Sequence, residues 1–301
     1  MDREELDSYL KAGKIAGTAL KYGAGLIKPG VSLLEVTEKV EEKIYSMGGQ
    51  PAFPAQINRN DIAAHYCAHH EDKTMFHEGD IIKIDCGVHI NGFVADNART
   101  VVLSDNEKLK LLSEATKAAL KSAIGVVRPG VRVSEIGKAI EHEIKSRGFN
   151  PIINLSGHGV ARFVIHDNPS IPNFNAQTNA TLKEGQAIAI EPFATTGAGM
   201  IFESSNPTVH ALVGLKPARS QITREVLKTI QEYQGLPFAQ RWLIKKHGIG
   251  KALFALKDLR GMGILHDYPP LPEEAKGMVS QHEHTMIVRD KPVVTTLVDD
   301  D

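Results

Sequence analysis

The pattern of apolar and polar residues predicts two matching pairs of helices along the chain. Residues 28–51 (KPGVSLLEVTEKVEEKIYSMGGQP) align with residues 128–151 (RPGVRVSEIGKAIEHEIKSRGFNP) without a gap, at a constant shift of 100 positions. In each copy a Pro-Gly turn separates a long helix from a second amphipathic helix, which ends at a glycine suited to a C-cap. Ser32 and Glu35 fit a capping box in the first copy, whereas Arg132 replaces the serine in the second. The Pro-Gly turn and the glycine at the helix end recur at equivalent positions in both copies, which indicates an internal duplication.

The duplication continues into the strands that follow the helices. Residues 78–85 (EGDIIKID) align with residues 184–191 (EGQAIAIE), so Asp85 and Glu191 occupy equivalent positions at the ends of equivalent strands. We therefore predict an α+β fold with a pseudo-two-fold axis that brings both acids to one central site.

A β-hairpin is predicted directly after Asp85. Asn91-Gly92 lies between two β-branched runs, which is the strongest short-range signal for a type I′ turn. This turn places Asp96 opposite Gly87, so Asp85 and Asp96 become diagonal neighbours on one face of the hairpin. Two unpaired buried carboxylates repel each other and resist ionisation, and a cation between them removes that conflict. The hairpin therefore predicts half of a metal site.

A stretch at residues 206–273 interrupts the second half and has no counterpart in the first. It contains helix candidates around residues 221–233 and 250–260, and we predict that it forms an inserted helical subdomain. The chain then returns through a strand centred on Glu283.

Composition limits the class of protein. The chain has 301 residues, 42% of them apolar, and a formal net charge of −1, which gives no electrostatic case for binding nucleic acid or an anionic membrane. No apolar run approaches the roughly 18 residues of a membrane-spanning helix. Two cysteines, Cys67 and Cys86, and a charged N-terminal segment favour a reducing cytoplasm. Strand alternation directs Cys86 into the core, on the face opposite Asp85.

The candidate metal ligands are four carboxylates and one imidazole. The imidazole is that of His158, whose flanking glycines allow close backbone approach. The four negative charges match two divalent cations, and the oxygen-rich set argues against structural zinc. It fits Mn, Fe, Co or Zn in a hydrolytic site whose two metals lie roughly 3.5–4 Å apart. The carboxylates are Asp85, Asp96, Glu191 and Glu283.

Seven segments of the chain, in the same order and spacing, resemble those of the methionine aminopeptidases, specifically the archaeal type 2 group without an N-terminal extension. An insertion after Glu191 is what separates type 2 from the shorter type 1 enzymes. The segments are Pro51-Ala-Phe-Pro54, Ala63-Ala-His65-Tyr66, Lys83-Ile-Asp85-Cys-Gly-Val-His, Asn91-Gly-Phe-Val-Ala-Asp96, Asn154-Leu-Ser-Gly-His158, Ala189-Ile-Glu191-Pro-Phe and Glu283-His-Thr.

The resemblance implies the pita-bread fold, a pseudo-two-fold α+β sandwich around a dinuclear centre. Residues 1–205 and 274–301 would form the catalytic domain, and residues 206–273 a winged-helix-like insertion. The implied activity is removal of the N-terminal methionine from nascent proteins and peptides, with a preference for a small second residue. We expect a cytoplasmic monomer that makes transient contact with the ribosome and does not recognise specific nucleic acid.

The resemblance also implies roles for the ligands. Asp85 would chelate one metal, Asp96 and Glu283 would bridge both, and His158 and Glu191 would hold the other. Glu191 would in addition carry a proton from the attacking water to the leaving amine.

Further residues are matched to the substrate. His166 would position the scissile amide, and His65 would line the same cleft. Phe53 and Ile165 would line the pocket for the methionine side chain, with Tyr268 of the insertion as a further wall. Two more histidines bear on the resemblance. His210 lies near the place of a pocket histidine in some type 2 enzymes. His282 departs from the family pattern, which has an aromatic residue before the final glutamate.

Two alternatives remain open on the sequence. A prolidase or Xaa-Pro aminopeptidase shares the fold and the metal set, but usually carries a substantial extra N-terminal domain. A non-catalytic binding protein of the same fold would have lost metal ligands, whereas all five positions are filled in this chain.

Overall fold

In the computed structural model, seven helices and seventeen strands are present within residues 1–298, the part of the chain that the structure describes. The helices are α1 (Arg3–Leu26), α2 (Leu33–Ser46), α3 (Glu107–Val126), α4 (Val133–Ser146), α5 (Gln221–Glu232), α6 (Gln240–His247) and α7 (Ile249–Gly261). The strands are β1 (Gln50–Pro51), β2 (Gln56–Arg59), β3 (Ile62–Ala64), β4 (Ile81–Ile90), β5 (Phe93–Val102), β6 (Asn150–Pro151), β7 (Ser156–Ala161), β8 (Val164–Pro172), β9 (Ala187–Ile190), β10 (Phe193–Thr195), β11 (Val209–Leu212), β12 (Phe238–Ala239), β13 (Leu265–Tyr268), β14 (Leu271–Pro272), β15 (Val279–Gln281), β16 (Glu283–Ile287) and β17 (Val293–Val294).

The duplicated helices have matching lengths and ends. The second helix of each copy, α2 or α4, has 14 residues, and the glycine that follows it, Gly48 or Gly148, has a φ of 79° or 81°. Each copy keeps a different half of the capping box. In the first copy the Ser32 side chain accepts the backbone N–H of Glu35, and in the second the Glu135 side chain accepts the backbone N–H of Arg132. The arginine side chain has no acceptor atom, which explains the loss of the other half.

The predicted hairpin has the expected register. β4 and β5 pair antiparallel, with Asp96 opposite Gly87. Asn91 and Gly92 have φ values of 53° and 88°, and a type I′ turn requires positive φ at both positions. Cys86 is fully buried on the helix side of the hairpin, where its Sγ lies 3.9 Å from the Ala16 carbonyl oxygen of α1.

The two halves of the fold meet in one nine-stranded sheet. Its central order is β1-β4-β5-β16-β9-β7-β8, with β2 attached to β4 and β17 to β16. The seam between the halves is the antiparallel pair β5–β16, in which Glu283 lies opposite Ala98. One residue pattern differs from expectation: the strand predicted to be centred on Glu283 is split, with β15 ending at Gln281 and β16 beginning at Glu283.

Two equivalent apolar clusters hold the helices against this sheet. In the first, Ala16 of α1 and Val40 of α2 pack with Ile84 of β4. In the second, buried residues of α3 and α4 pack with Ile188 and Ile190 of β9. The duplication therefore extends from sequence to core packing, and it leaves the opposite face of the central strands for the site.

The segment after β10 forms a separate small core. β11 pairs with β12 and β13, and α5, α6 and α7 pack around Val226, Phe238 and Leu256. The helices predicted around 221–233 and 250–260 correspond to α5 and α7, whereas α6 was not predicted. None of the helices within residues 1–298 has both the length and the apolar character needed to cross a membrane.

A buried ion pair attaches this small core to the first helix pair. Arg241 and Trp242 Nε1 of α6 both donate to the carboxylate of Glu41 on α2, the indole nitrogen at 2.9 Å. Glu41 also accepts the backbone N–H of Ala55 at 3.2 Å. Its duplicate Glu141 accepts a backbone N–H as well, that of Asn175 at 2.9 Å. The shared glutamate therefore fixes a loop in both halves.

Candidate metal centre

The central strands bring four of the five predicted metal ligands to one cavity of about 420 Å³ and place the fifth directly beside it. Asp85, Asp96, His158 and Glu191 line the cavity. Glu283 is buried next to them: one ligand atom each of Asp96, His158 and Glu283 lies within 4.8 Å of the other two. His158 Nε2 is 3.9 Å from Asp96 Oδ2 and 3.5 Å from Glu191 Oε1. The structure therefore gathers residues that lie about 200 positions apart in the sequence.

Strand register explains why these side chains converge. Asp85 on β4 and Glu283 on β16 both lie opposite Ala98 of β5, so the three residues form one row across the sheet. Asp96 stands two positions from Ala98 on the same strand face. On the other side of β16, His158 of β7 pairs with Ala189, two residues before Glu191.

The glycines around His158 are required by close backbone approach, as the sequence predicted. A Cβ atom on Gly157 would collide with the Ala189 carbonyl oxygen of β9, and one on Gly159 would collide with the Asn168 carbonyl oxygen of β8. The imidazole is oriented by Nδ1, which lies 3.1 Å from the Gly159 carbonyl oxygen. Nε2 therefore faces the carboxylates with its lone pair available.

The carboxylates meet the chemical requirements of a cation site. Asp85 Oδ1, Asp96 Oδ1 and Glu283 Oε1 are buried and have no hydrogen-bond partner within residues 1–298. Burial raises the pKa of Asp85 to about 7. Burial, and then the neighbouring carboxylates, raise the pKa values of Asp96, Glu191 and Glu283 well above their usual range. Because each acid opposes ionisation of the others, divalent cations fit this donor set, and they supply the missing partners for the three orphaned oxygens.

His158 is kept neutral, as a metal ligand must be. Burial, followed by the neighbouring His166, lowers the pKa of its imidazole to about 3. The two rings meet edge to face with their centroids 4.7 Å apart. His158 therefore offers an uncharged nitrogen among four acids.

The two other predicted histidines lie on the cavity surface. His65 contacts Tyr268 edge to face at 5.5 Å, and His166 lies 6.3 Å from the same ring. His65 has a φ of 67°, an uncommon conformation for histidine, and its backbone N–H donates to Gln56 Oε1. Burial lowers the pKa of His65 to about 4 and also lowers that of His166, so both rings are neutral at pH 7.

The predicted pocket residues Phe53, Ile165 and Tyr268 all line the cavity. The ring of Phe53 lies against Gly87, where any side chain would collide with it. The insertion contributes two cavity residues that the sequence did not reveal, Val209 and Pro237. Alternation beside His210 could have suggested Val209, since neighbours on a strand face opposite sides.

His210 itself does not line the cavity. It is fully buried, its Nδ1 lies 2.6 Å from Asp267 Oδ1, and its ring packs against Phe238 inside the insertion. The suggestion that it is a pocket histidine is not supported by this arrangement. The alternation of side chains along β11 explains the position of His210, because Val209 faces the cavity and His210 therefore faces the small core.

Gln281 is a site residue that sequence patterns missed. Its Nε2 donates to Glu191 Oε2 at 3.2 Å. Its neighbour His282 faces away, as predicted, and its Nδ1 lies 2.8 Å from Thr116 Oγ1 of α3. A glutamine in a strand carries no signal of its own, so only the tertiary structure shows that it contacts Glu191.

Comparison with known proteins identifies the family to which this arrangement belongs. The model of metallopeptidase family M24 matches residues 7–250. A methionine aminopeptidase of Pyrococcus horikoshii is 49% identical over 296 residues, which cover 97% of this chain and 99% of that protein. One of Archaeoglobus fulgidus is 46% identical over 291 residues, covering 96% and 97%. The chain therefore belongs to metallopeptidase family M24, and within it to the methionine aminopeptidases.

Solved structures agree on the fold. Methionine aminopeptidase from Thermotoga maritima superimposes with a TM-score of 0.74 at 23% identity, covering 99% of this chain and 98% of that one. Prolidase from Pyrococcus furiosus has a TM-score of 0.66 at 22% identity, covering 99% of this chain and 65% of that one. The predicted pita-bread fold is confirmed. Membership of the family also confirms that the chain is a hydrolase that uses divalent metal ions.

Proposed function

We propose that the methionine aminopeptidase activity of this chain depends on two divalent ions held by Asp85, Asp96, His158, Glu191 and Glu283. The observation that carries the proposal is the set of buried carboxylate oxygens without partners beside one cavity with apolar walls. The substrates would be the N-terminal methionines of nascent proteins and peptides, followed by a small second residue.

The ligands divide between the two ions. Asp85 would hold one ion, His158 and Glu191 the other, and Asp96 and Glu283 both, because the last two lie between the remaining ligands on the central strands. When bound, Co, Mn, Fe or Zn would polarise the scissile carbonyl and lower the pKa of a water molecule. Four negative charges and one neutral imidazole balance two divalent cations.

Glu191 would move the proton. One of its oxygens accepts a hydrogen bond from Gln281, and the other faces His158. Gln281 therefore fixes the carboxylate while the second oxygen takes the proton of the attacking water and passes it to the leaving amine.

His65 and His166 would act on the peptide bond. As neutral imidazoles they donate one N–H without carrying charge into the cavity. His166 lies next to His158 and can hold the scissile amide and its developing oxyanion. His65, packed on Tyr268, would orient the bound peptide.

The cavity also accounts for selectivity at the N-terminus. Phe53, Ile165 and Tyr268, with Val209 of the insertion, give an apolar wall for the methionine side chain. The buried acids at the other end would receive the free α-amino group. An internal peptide bond has no such amine, so cleavage would be confined to the first residue.

The domain division and a contact with the ribosome are proposed from the organisation of the chain and from the charge of the insertion. We take residues 1–205 and 274–301 as the catalytic domain and residues 206–273 as the insertion, which carries ten Lys and Arg residues against five Asp and Glu. This basic excess would suit a transient contact with the anionic ribosome, without recognition of specific nucleic acid. The proposed setting is a cytoplasmic monomer.

The test is release of methionine from a Met-Ala-Ser peptide by protein reconstituted with Mn, Fe, Co or Zn. We expect release with at least one metal, two ions per chain at saturation, and no comparable cleavage of Xaa-Pro peptides. Glu191→Ala should abolish release, whereas Glu274→Gln, which changes an exposed carboxyl, should not. Failure with all four metals, or a preference for Xaa-Pro peptides, would overturn the assignment.

A further inference from the structure

A second cavity, of about 690 Å³, lies on the face of the sheet opposite the metal centre. It lies between α1 and α3, the first helices of the two copies, and over the seam of β5 and β16. We call it the back cavity; its lining includes Leu20, Asn97, Arg99, Lys117, Lys121 and Leu297. It shares strands with the metal centre and, apart from Glu283, presents different side chains, because alternate residues face opposite sides.

The lining of the back cavity combines an apolar surface with an excess of positive charge. Leu20, Ile124 and Leu297 supply aliphatic surface from α1, α3 and the segment after β17. Three cationic side chains line the cavity beside two acids, Glu114 and the predicted metal ligand Glu283. Such a combination favours a ligand with an aliphatic body and an anionic head over either part alone. The cationic side chains are Arg99, Lys117 and Lys121.

A buried donor without a partner gives independent support. Asn97 lines the back cavity and is fully buried, and its Nδ2 has no hydrogen-bond partner in the part of the chain that the structure describes. Its Oδ1 accepts from Cys86 Sγ at 3.5 Å, which fixes the orientation of the amide. An unsatisfied buried amide donor is unfavourable, so an acceptor at this position would be stabilising.

We propose that the back cavity is a binding site for a carboxylate amphiphile. The carboxylate would lie between Lys117 and Asn97, with the aliphatic body along Leu20 and Leu297. A volume of this size is typical of sites for ligands of drug size. Nothing in the peptidase reaction requires such a site, so it is independent of the proposed function.

The probe is decanoate, titrated calorimetrically into the metal-loaded enzyme in the presence of saturating methionine. Methionine occupies the metal centre, so the remaining binding reports the back cavity. Decanoate should bind, whereas acetate, which lacks the body, and decyltrimethylammonium, which has the opposite charge, should bind at least tenfold more weakly. Equal affinity for the cationic amphiphile, or full displacement by methionine, would overturn the proposal.

Variants on α3 supply the matched comparison. Lys117→Gln with Lys121→Gln should weaken decanoate binding at least tenfold, and Ala118→Phe should block it by filling the cavity. Lys108→Gln with Lys110→Gln makes the same charge change on the same helix, away from the cavity, and should have no effect. All these variants should keep the methionine-release rate. An unchanged decanoate affinity in the first two variants is incompatible with the site.

One further control concerns the end of the chain. Residues 299–301, all aspartate, follow Leu297 closely in the sequence. The titration is therefore repeated with a chain that ends at Val298. Absence of decanoate binding to both chains would overturn the proposal.

Discussion

Asp85 and Glu283 lie in one row across the sheet, on either side of Ala98. The pairing of β4 with β5 places Asp85 opposite Ala98, and the pairing of β16 with β5 places Glu283 opposite the same residue. The side chains of such a row point to one face, so the methyl group of Ala98 stands between two acids. A small residue there leaves space for cations, and Asp96 completes the arrangement two positions away.

The first prediction concerns that space. Ala98→Leu should exclude the ions, because an isobutyl group would occupy the volume between the two acids. Metal content, measured by mass spectrometry after dialysis against Mn, should fall from two ions per chain to below one. Ala98→Gly keeps the space and should retain both ions. Full occupancy in the leucine variant would show that the ions lie elsewhere.

The second prediction concerns metal removal. Chelation should lower the thermal midpoint, because it leaves four buried acids without compensation; at a free metal concentration of 100 times Kd the lost stability is about 2.7 kcal/mol for each ion. Asp96→Asn should show opposite effects in the two states. It should lower the stability of the loaded enzyme but raise that of the chelated one by about 1–3 kcal/mol, because one member of a buried cluster of mutually repelling acids is gone. Calorimetry of both proteins in both states provides the check, and an equal effect in the two states would contradict it.

The third prediction uses Asp80, a buried acid remote from the metals. Arg59 donates two hydrogen bonds to its carboxylate, and Asn60 and the backbone N–H of His77 donate one each. Burial alone would raise its pKa, but the donors outweigh burial and hold the pKa below its usual range. A depressed pKa stabilises the fold above the unfolded value, near pH 4, and this contribution is lost as pH falls through the folded value.

Asp80→Asn should therefore destabilise the protein by about 2 kcal/mol at pH 7. The difference should shrink at pH 3, where the wild-type carboxyl also begins to be protonated. Urea unfolding at pH 7, 4 and 3 measures both values. Asp105→Asn, at an exposed position, is the control and should leave stability unchanged at every pH. A difference that grows towards pH 3 would contradict the sign of the shift.

The fourth prediction concerns the attachment of the insertion. Arg241→Ala leaves Glu41 buried without its ion-pair partner and should destabilise the protein by about 3–5 kcal/mol. The double variant Glu41→Gln with Arg241→Met removes both charges and should recover much of that loss. KM for Met-Ala-Ser should also rise in the single variant, because Val209 and Tyr268 reach the cavity from the insertion. A double variant as unstable as the single one would exclude a charge effect.

Local features of the fold were accessible from the sequence. The duplication is visible because the same residues recur at a constant spacing. The register of the hairpin depends on the turn residues Asn91 and Gly92, and the sequence Asn-Gly predicts the positive φ values that both of them adopt. The glycines around His158 likewise predicted close backbone approach, which the carbonyls of Ala189 and Asn168 provide. The sequence did not predict α6, because the helix is short and its apolar periodicity is hidden by the neighbouring Pro237, Phe238 and Trp242.

The sequence by itself determined the repeat, the hairpin, and through them the pairing of Asp85 with Asp96 and Glu191. Only the packing of distant strands shows that Ala98 separates two acids, that Gln281 donates to Glu191, and that β11 turns Val209 towards the cavity and His210 away from it. The physical reason is the range of the interactions. Turns and alternation act over a few residues, whereas β5 and β16 pair across about 185 positions, and no local pattern specifies the register of such a pair.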